Sequence, residues 1–145
     1  MHWNISASDL SKKALDVAQW NAEKYELDIR FFENNFLTDD LTSRYDVLVS
    51  NPPYISVEES HLMSKGVLDY EPHMALFADD PLVFYKTICN RSKSILKEEA
   101  SVYVELNEFL AEETESLFNQ YFEEVSLKKD LQGKYRMLRA RRLLS

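Results

Sequence analysis

The segment Tyr45-Asp46-Val47-Leu48-Val49-Ser50-Asn51-Pro52-Pro53-Tyr54 decides the fold of this chain. Its first half is short, apolar and β-branched, as expected of a buried parallel strand over residues 45–49. The double proline ends that strand, because proline donates no backbone hydrogen bond and cannot continue a ladder. The segment therefore predicts a strand that stops at a rigid loop beginning with Asn51.

Strand-like and helix-like patterns alternate on both sides of this segment. Period-two and β-branched stretches predict further strands over residues 5–8, 29–32 and 101–106, and an antiparallel pair over 123–128 and 135–141 around Gly133. Helical periodicity predicts helices from an N-cap at Ser11 to about residue 26, over 80–96 and over 111–122. The first helix is expected to carry Ala14, Leu15, Ala18 and Ala22 on one face. The second is expected to turn Leu82, Tyr85, Ile88 and Cys89 inward. This order predicts an α/β fold, a doubly wound sheet with an antiparallel C-terminal hairpin, in one domain over residues 1–145.

Polar side chains follow or close several of the predicted strands. Ligands in such sheets bind outside the carboxyl ends of the strands. That rule selects Asp9, Asn35, Asn51 and Glu105 as candidate site residues.

The loop that begins at Asn51 suits a reaction at a planar nitrogen. An amide or aromatic amine is a poor nucleophile, because its lone pair is delocalised into the adjoining π system. The side-chain carbonyl of Asn51 and the backbone carbonyl of Pro52 can each accept one N–H hydrogen, and Pro53 helps to fix the loop. Tyr54 offers an aromatic face for a flat acceptor. The alternative is a plain strand-ending turn, since Asn-Pro and Pro-Pro are common turn formers.

Composition narrows the classes of function. A formal net charge of -8 argues against nonspecific binding of nucleic acid. The basic stretch over residues 134–142 is interpreted as a solvated strand face, with a basic patch for a partner as the alternative. The single cysteine, Cys89, excludes an internal disulfide, and its apolar neighbours predict a buried thiol. The three histidines lack ligand spacing, so no metal site is expected. No run of residues is apolar and long enough to span a bilayer, and no signal peptide is recognised, so the cytoplasm is the expected location.

The chain resembles the release factor glutamine methyltransferase family, class I enzymes that methylate the glutamine of a Gly-Gly-Gln motif in peptide chain release factors. The resemblance rests on Asn51-Pro52-Pro53-Tyr54 together with flanking segments along most of the chain. Those segments are Ala7-Ser8-Asp9-Leu10-Ser11, Tyr70-Glu71-Pro72, Pro81-Leu82, Lys129-Asp130-Leu131, Gly133 and Arg136.

The resemblance implies S-adenosyl-L-methionine as cofactor and a release factor as partner. It implies that Asp9 accepts from the ribose hydroxyls, although Asp9 also fits an ordinary helix-flanking cap. Asn35 stands where the family usually has an aspartate that accepts from the adenine amino group, and Phe36 would pack on the adenine or in the core. Asn51 would lie near the donor methyl, with Pro52, Pro53 and Tyr54 shaping the slot, while Glu71 and Pro72 would brace the loop from outside.

The resemblance does not extend to the family's first strand and the glycine-rich loop that follows it. The chain has two glycines, Gly66 and Gly133, and neither precedes Asp9. In this fold the first strand lies between the second and the fourth, so its absence predicts two strand edges with unpaired backbone groups. Three outcomes are then open. The two edges could pair directly with each other, or the domain could be unstable alone. In the third, another chain could fill the gap, and a second copy of this chain would do so by self-association. The sequence also predicts a truncated frame that binds cofactor poorly.

Two other functions remain open from the sequence. The tetrapeptide is shared with adenine-amino nucleic-acid methyltransferases, which flip a base into the same slot. A non-catalytic remnant of the fold that acts through protein contacts is the third reading.

Overall fold

The computed structural model describes residues 3–53 and 80–144. It divides into two compact units, Met1–Asp40 and Leu41–Ser145. Within the described ranges, no helix is long and apolar enough to cross a membrane.

The first unit is a strand–helix–strand unit made of β1 (Ile5–Asp9), α1 (Lys12–Lys24) and β2 (Ile29–Glu33). The two strands are parallel, with Ile5 opposite Ile29 and Asp9 opposite Glu33. Ser11 is the N-cap of α1, as predicted, and its side chain accepts a hydrogen bond from the amide of Ala14. Parallel pairing brings the carboxyl ends of β1 and β2 to the same edge.

In its described residues, the second unit is a mixed sheet with two helices. Its elements are β3 (Tyr45–Ser50), α2 (Val83–Ile95), β4 (Leu96–Glu105), a short 3-10 helix (Glu108–Leu110), α3 (Ala111–Phe118), β5 (Phe122–Lys129) and β6 (Tyr135–Leu143). The strand order is β3-β4-β6-β5. β3 and β4 are parallel, and β6 is antiparallel to both of its neighbours. The α/β class, the element order and the antiparallel hairpin predicted from the sequence are confirmed.

The core of the second unit lies on one face of this sheet. Val102 and Val104 of β4 stand opposite Ala140 and Leu138 of β6, and all four are buried. The helices contribute further buried side chains, which are Tyr85, Ile88, Cys89, Ala111 and Phe118. Burial of these apolar side chains supplies the main stabilisation of the unit, about 1.5–3 kcal/mol for each large one.

The hairpin between β5 and β6 turns at the predicted glycine. Gly133 has a φ of 83°, a left-handed conformation that glycine adopts without steric cost. The carboxylate of Asp130 accepts from the amides of Gln132 and Lys134 at 2.8 and 3.0 Å. The turn is therefore fixed by one aspartate and one glycine.

Three predicted element boundaries were wrong. α2 begins at Val83 rather than at residue 80, because the Asp80 carboxylate accepts from the Leu82 amide (2.9 Å) and so precedes the helix. α3 ends at Phe118 rather than at residue 122, since Phe122 already belongs to β5. β4 begins at Leu96, five residues before the predicted start at residue 101.

The predicted burial of β3 was also wrong. β3 was expected to be a buried strand, yet Val47 and Val49 are exposed, Val49 at 74%. In the described residues β3 pairs with β4 alone and forms an edge of its sheet. On α1, Leu15 and Ala22 are buried, Ala18 is half-buried and Ala14 is exposed.

Candidate functional site

Asp9 lies at the carboxyl end of β1 and is exposed. Its Oδ1 accepts a hydrogen bond from the Ser11 amide at 2.7 Å, which is the helix-flanking contact that the sequence left open as an alternative. Within the described residues its Oδ2 has no hydrogen-bond partner, so this oxygen can still accept from a ligand. One carboxylate thus fixes the start of α1 and keeps one acceptor at the sheet edge.

Asn35 forms a tight turn after β2. Its side-chain Oδ1 accepts from the Leu37 amide at 3.1 Å, and its own amide donates to Oδ2 of Asp39 at 2.8 Å. Its backbone carbonyl accepts from the amides of Thr38 and Asp39. The predicted acceptor oxygen is therefore already engaged by the backbone, with one lone pair remaining. Phe36, within the same turn, is half-buried.

Asn34 was missed by sequence reasoning. It directly follows β2, and its amide donates to the carbonyl of Asp9 at 3.1 Å, which ties the two strand ends together. Its side chain is buried at 7% exposure, and its Oδ1 has no hydrogen-bond partner. A polar residue at a strand end was the available signal, but burial cannot be read from the sequence.

Asn51 directly follows β3 in the second unit, as predicted. Its side chain is exposed, whereas Pro52 is buried and Pro53 is half-buried. The carboxamide thus stands at the carboxyl edge on a backbone that is anchored by the next residue. Tyr54, like Glu71 and Pro72, lies outside the described residues, so its predicted role stays a prediction.

The carboxyl end of β4 lies beside that of β3, because Ser50 stands opposite Val104. Glu105 ends β4, and its backbone carbonyl accepts from the Tyr85 hydroxyl at 3.0 Å. Asn107 is buried and its Oδ1 accepts from the Phe109 amide at 3.0 Å, which starts the short 3-10 helix. These contacts hold the strand end next to Asn51 in a fixed conformation.

Comparison with known proteins shows that the chain is similar to one family of enzymes. Residues 1–67 match the methyltransferase small domain. Over 140 residues the chain is 43% identical to a release factor glutamine methyltransferase of Flavobacterium psychrophilum. This chain is a relative of the release factor glutamine methyltransferases. The resemblance predicted from the sequence is thereby confirmed.

The match covers the two chains unequally. It takes in 94% of this chain and 49% of the Flavobacterium protein, so the chain spans about half the length of the curated relatives it matches.

Solved structures confirm the class I methyltransferase fold. A methyltransferase from Pyrococcus furiosus superposes with a TM-score of 0.66 at 16% identity, covering 95% of this chain and 62% of that one. The 16S rRNA N2 G1207 methyltransferase of T. thermophilus, solved with AdoMet and guanosine, gives a TM-score of 0.63 at 17% identity, covering 96% and 31%.

S-adenosyl-L-methionine is the cofactor of this methyltransferase class, and the residues of the first unit suit its nucleoside end. Asp9 offers an acceptor oxygen for hydroxyl groups, and Asn34 offers a buried oxygen without a partner. Among the described residues, no group of three or more His, Cys, Asp and Glu side chains could hold a metal ion.

Proposed function

We propose that the chain carries part of an S-adenosyl-L-methionine-dependent methyltransferase whose acceptor is the side-chain amide nitrogen of a glutamine in a peptide chain release factor. The exposed carboxamide of Asn51 next to buried Pro52 carries the proposal. The 43% identity to a release factor glutamine methyltransferase supports the choice of acceptor.

Each residue has a defined task in this proposal. The bound cofactor supplies a methyl group on a sulfonium sulfur. Oδ1 of Asn51 accepts one N–H of the glutamine amide, and the carbonyl of Pro52 accepts the other, which holds the nitrogen with its π face towards the methyl group. Tyr54 would stack on the flat amide. The nitrogen would gain the methyl group as the methyl–sulfur bond breaks with its electron pair left on the resulting thioether, and the methylated amide would release one proton to solvent.

Positioning supplies most of the rate in this scheme. A nitrogen held in line with the methyl carbon reacts as if at very high local concentration, so neither a metal nor a covalent enzyme intermediate is needed. In the cofactor half, Asp9 would accept from the ribose hydroxyls, and Asn35 and Phe36 would line the adenine.

Methyl transfer from labelled S-adenosyl-L-methionine tests the proposal. The acceptors are a release factor, the same factor with the glutamine of Gly-Gly-Gln changed to alanine, and an adenine-containing oligonucleotide. We expect label on the first acceptor alone, and a loss of about 10²–10³-fold in Asn51→Ala, because one positioned hydrogen-bonding group is removed.

Asn119→Ala is the matched control, because Asn119 is an exposed asparagine at the end of α3. It should retain the rate of the unaltered chain. Label on the oligonucleotide instead of the factor would establish the nucleic-acid alternative. No transfer to either acceptor would favour the non-catalytic reading.

A further inference from the structure

Two buried side-chain oxygens in the described residues lack a hydrogen-bond partner, Oδ1 of Asn34 and Oγ1 of Thr114. Thr114 lies within helix α3, on its buried face. Asn34, in contrast, follows β2 at the carboxyl edge of a parallel pair, where α/β sheets bind ligands. The two oxygens therefore differ in what can reach them.

An unpaired acceptor at this position destabilises the unliganded fold. Burying a carbonyl oxygen without a donor sacrifices its hydrogen bonds to water and gains nothing in return. An aliphatic side chain of the same shape would avoid that loss. The unpaired oxygen lowers the stability of the free protein and lies at the sheet edge where ligands bind. We therefore expect a ligand to supply its hydrogen-bond donor.

The neighbouring residues define the kind of ligand group that Asn34 would take. Asp9 is a carboxylate with one oxygen committed to Ser11, and it suits hydroxyl donors. Asn35 has its Oδ1 committed to Leu37, so its capacity for a further donor is reduced. A neutral amide carbonyl beside it suits a neutral N–H donor such as an aromatic amino group.

We propose that the carboxamide of Asn34 is a specificity-determining residue of the cofactor site, and that it accepts a hydrogen bond from the 6-amino group of the adenine. The inference rests on the proposed function and deepens it. Rotation about the last side-chain torsion, which is soft for asparagine, would let the buried oxygen meet such a donor. The carboxamide would then gain the hydrogen bond that it lacks in the free chain.

Calorimetric titration with S-adenosylhomocysteine, up to millimolar ligand, tests this role in the full chain. The variant is Asn34→Leu, which keeps the volume and removes the polar atoms. We expect it to weaken binding about tenfold, the effect of one hydrogen bond. An analogue with hydrogen in place of the 6-amino group should bind the variant and the unaltered chain equally.

Thermal unfolding without ligand gives a second readout. Asn34→Leu should unfold at the same temperature as the unaltered chain or a few degrees above it, since the unpaired oxygen is gone. Asn4→Leu is the control, because Asn4 is exposed and precedes β1.

Three results overturn the inference. Equal affinity of Asn34→Leu and the unaltered chain for S-adenosylhomocysteine removes the proposed hydrogen bond while leaving the proposed function in place. A lower unfolding temperature than Asn4→Leu assigns Asn34 to the fold. Failure of the unaltered chain itself to bind at millimolar ligand overturns the cofactor assignment and this inference with it.

Discussion

The Cys89 thiol illustrates how burial controls reactivity at a single residue. It is buried on α2, as predicted from its apolar neighbours, and burial raises its pKa to about 12. At pH 8 the thiolate fraction is then about 10⁻⁴, and the thiolate is the reactive form. Cys89 is thus a packing residue in this fold.

We expect native Cys89 to react with an aromatic disulfide reagent at pH 8 at least ~10³-fold more slowly than a free cysteine peptide. Absorbance of the released thiol follows the reaction. Unfolding in urea is the control, and should restore the rate of the peptide. Rapid labelling of the folded chain would mean that the helix opens or that the thiol is not covered.

At the scale of single residues, the sequence predicted correctly those features that depend only on a residue's position along a strand or helix. Ser11 as a cap and Asn51 at a strand end follow from local residue chemistry, and both are found as predicted. Asn34 escaped, since its importance lies in burial and in a missing partner, which depend on the folded surroundings. Asn35 lies after a strand, as predicted. Its side-chain Oδ1, which the sequence assigned to a ligand, accepts a hydrogen bond from the Leu37 amide instead.

At the scale of an element, the β5–β6 hairpin depends on the charge of one side chain. The Lys134 amide, followed by the Gln132 amide and the Arg136 side chain, lowers the pKa of Asp130. A carboxyl group whose pKa is lowered by folding stabilises the fold above its unfolded pKa, which is close to 3.9. That contribution is lost as pH falls through the lower, folded pKa.

We therefore expect Asp130→Asn to lower the unfolding temperature at pH 7, with a gap to the unaltered chain that narrows as pH falls below about 4. Thermal unfolding followed by circular dichroism from pH 2 to 7 measures it. Asp40→Asn is the control, because Asp40 is exposed and has no ion pair within the described residues. A gap of constant size across this range would show that the carboxylate's charge is not what fixes the turn.

The element boundaries that the sequence missed were set by long-range pairing. Residues 97–99 are charged and were assigned to no element from the sequence, yet they belong to β4, in which Leu96 stands opposite Tyr45. Lys97 also forms an ion pair with Asp46 at 2.8 Å. Local periodicity carries no information about such cross-strand partners.

At the scale of the whole molecule, β3 presents a strand edge that has no partner strand among residues 3–53 and 80–144. Val47 and Val49 are exposed on it, and Tyr103, beside Val49 on β4, is exposed as well. An apolar strand whose backbone groups lack a ladder partner is a template for another strand. The expectation of self-association at this edge follows from these exposures together with the pairing.

Sedimentation velocity should show a mass that rises with concentration, and Val49→Lys should reduce that rise. A charged side chain on an edge strand opposes pairing with a second edge. Val17→Lys on α1 is the matched control, since Val17 is exposed on a helix. Equal association in both variants would place the contact elsewhere.

The position of β6 has a consequence for synthesis of the protein. β6 follows β4 and β5 in the sequence, yet it lies between them in the sheet and contributes Leu138 and Ala140 to the core. During translation, β4 and β5 leave the ribosome before their shared neighbour exists. The nascent second unit must hold its apolar face uncovered until residue 143 has emerged, which makes this late interval the one in which a chaperone or a misplaced strand would have greatest access.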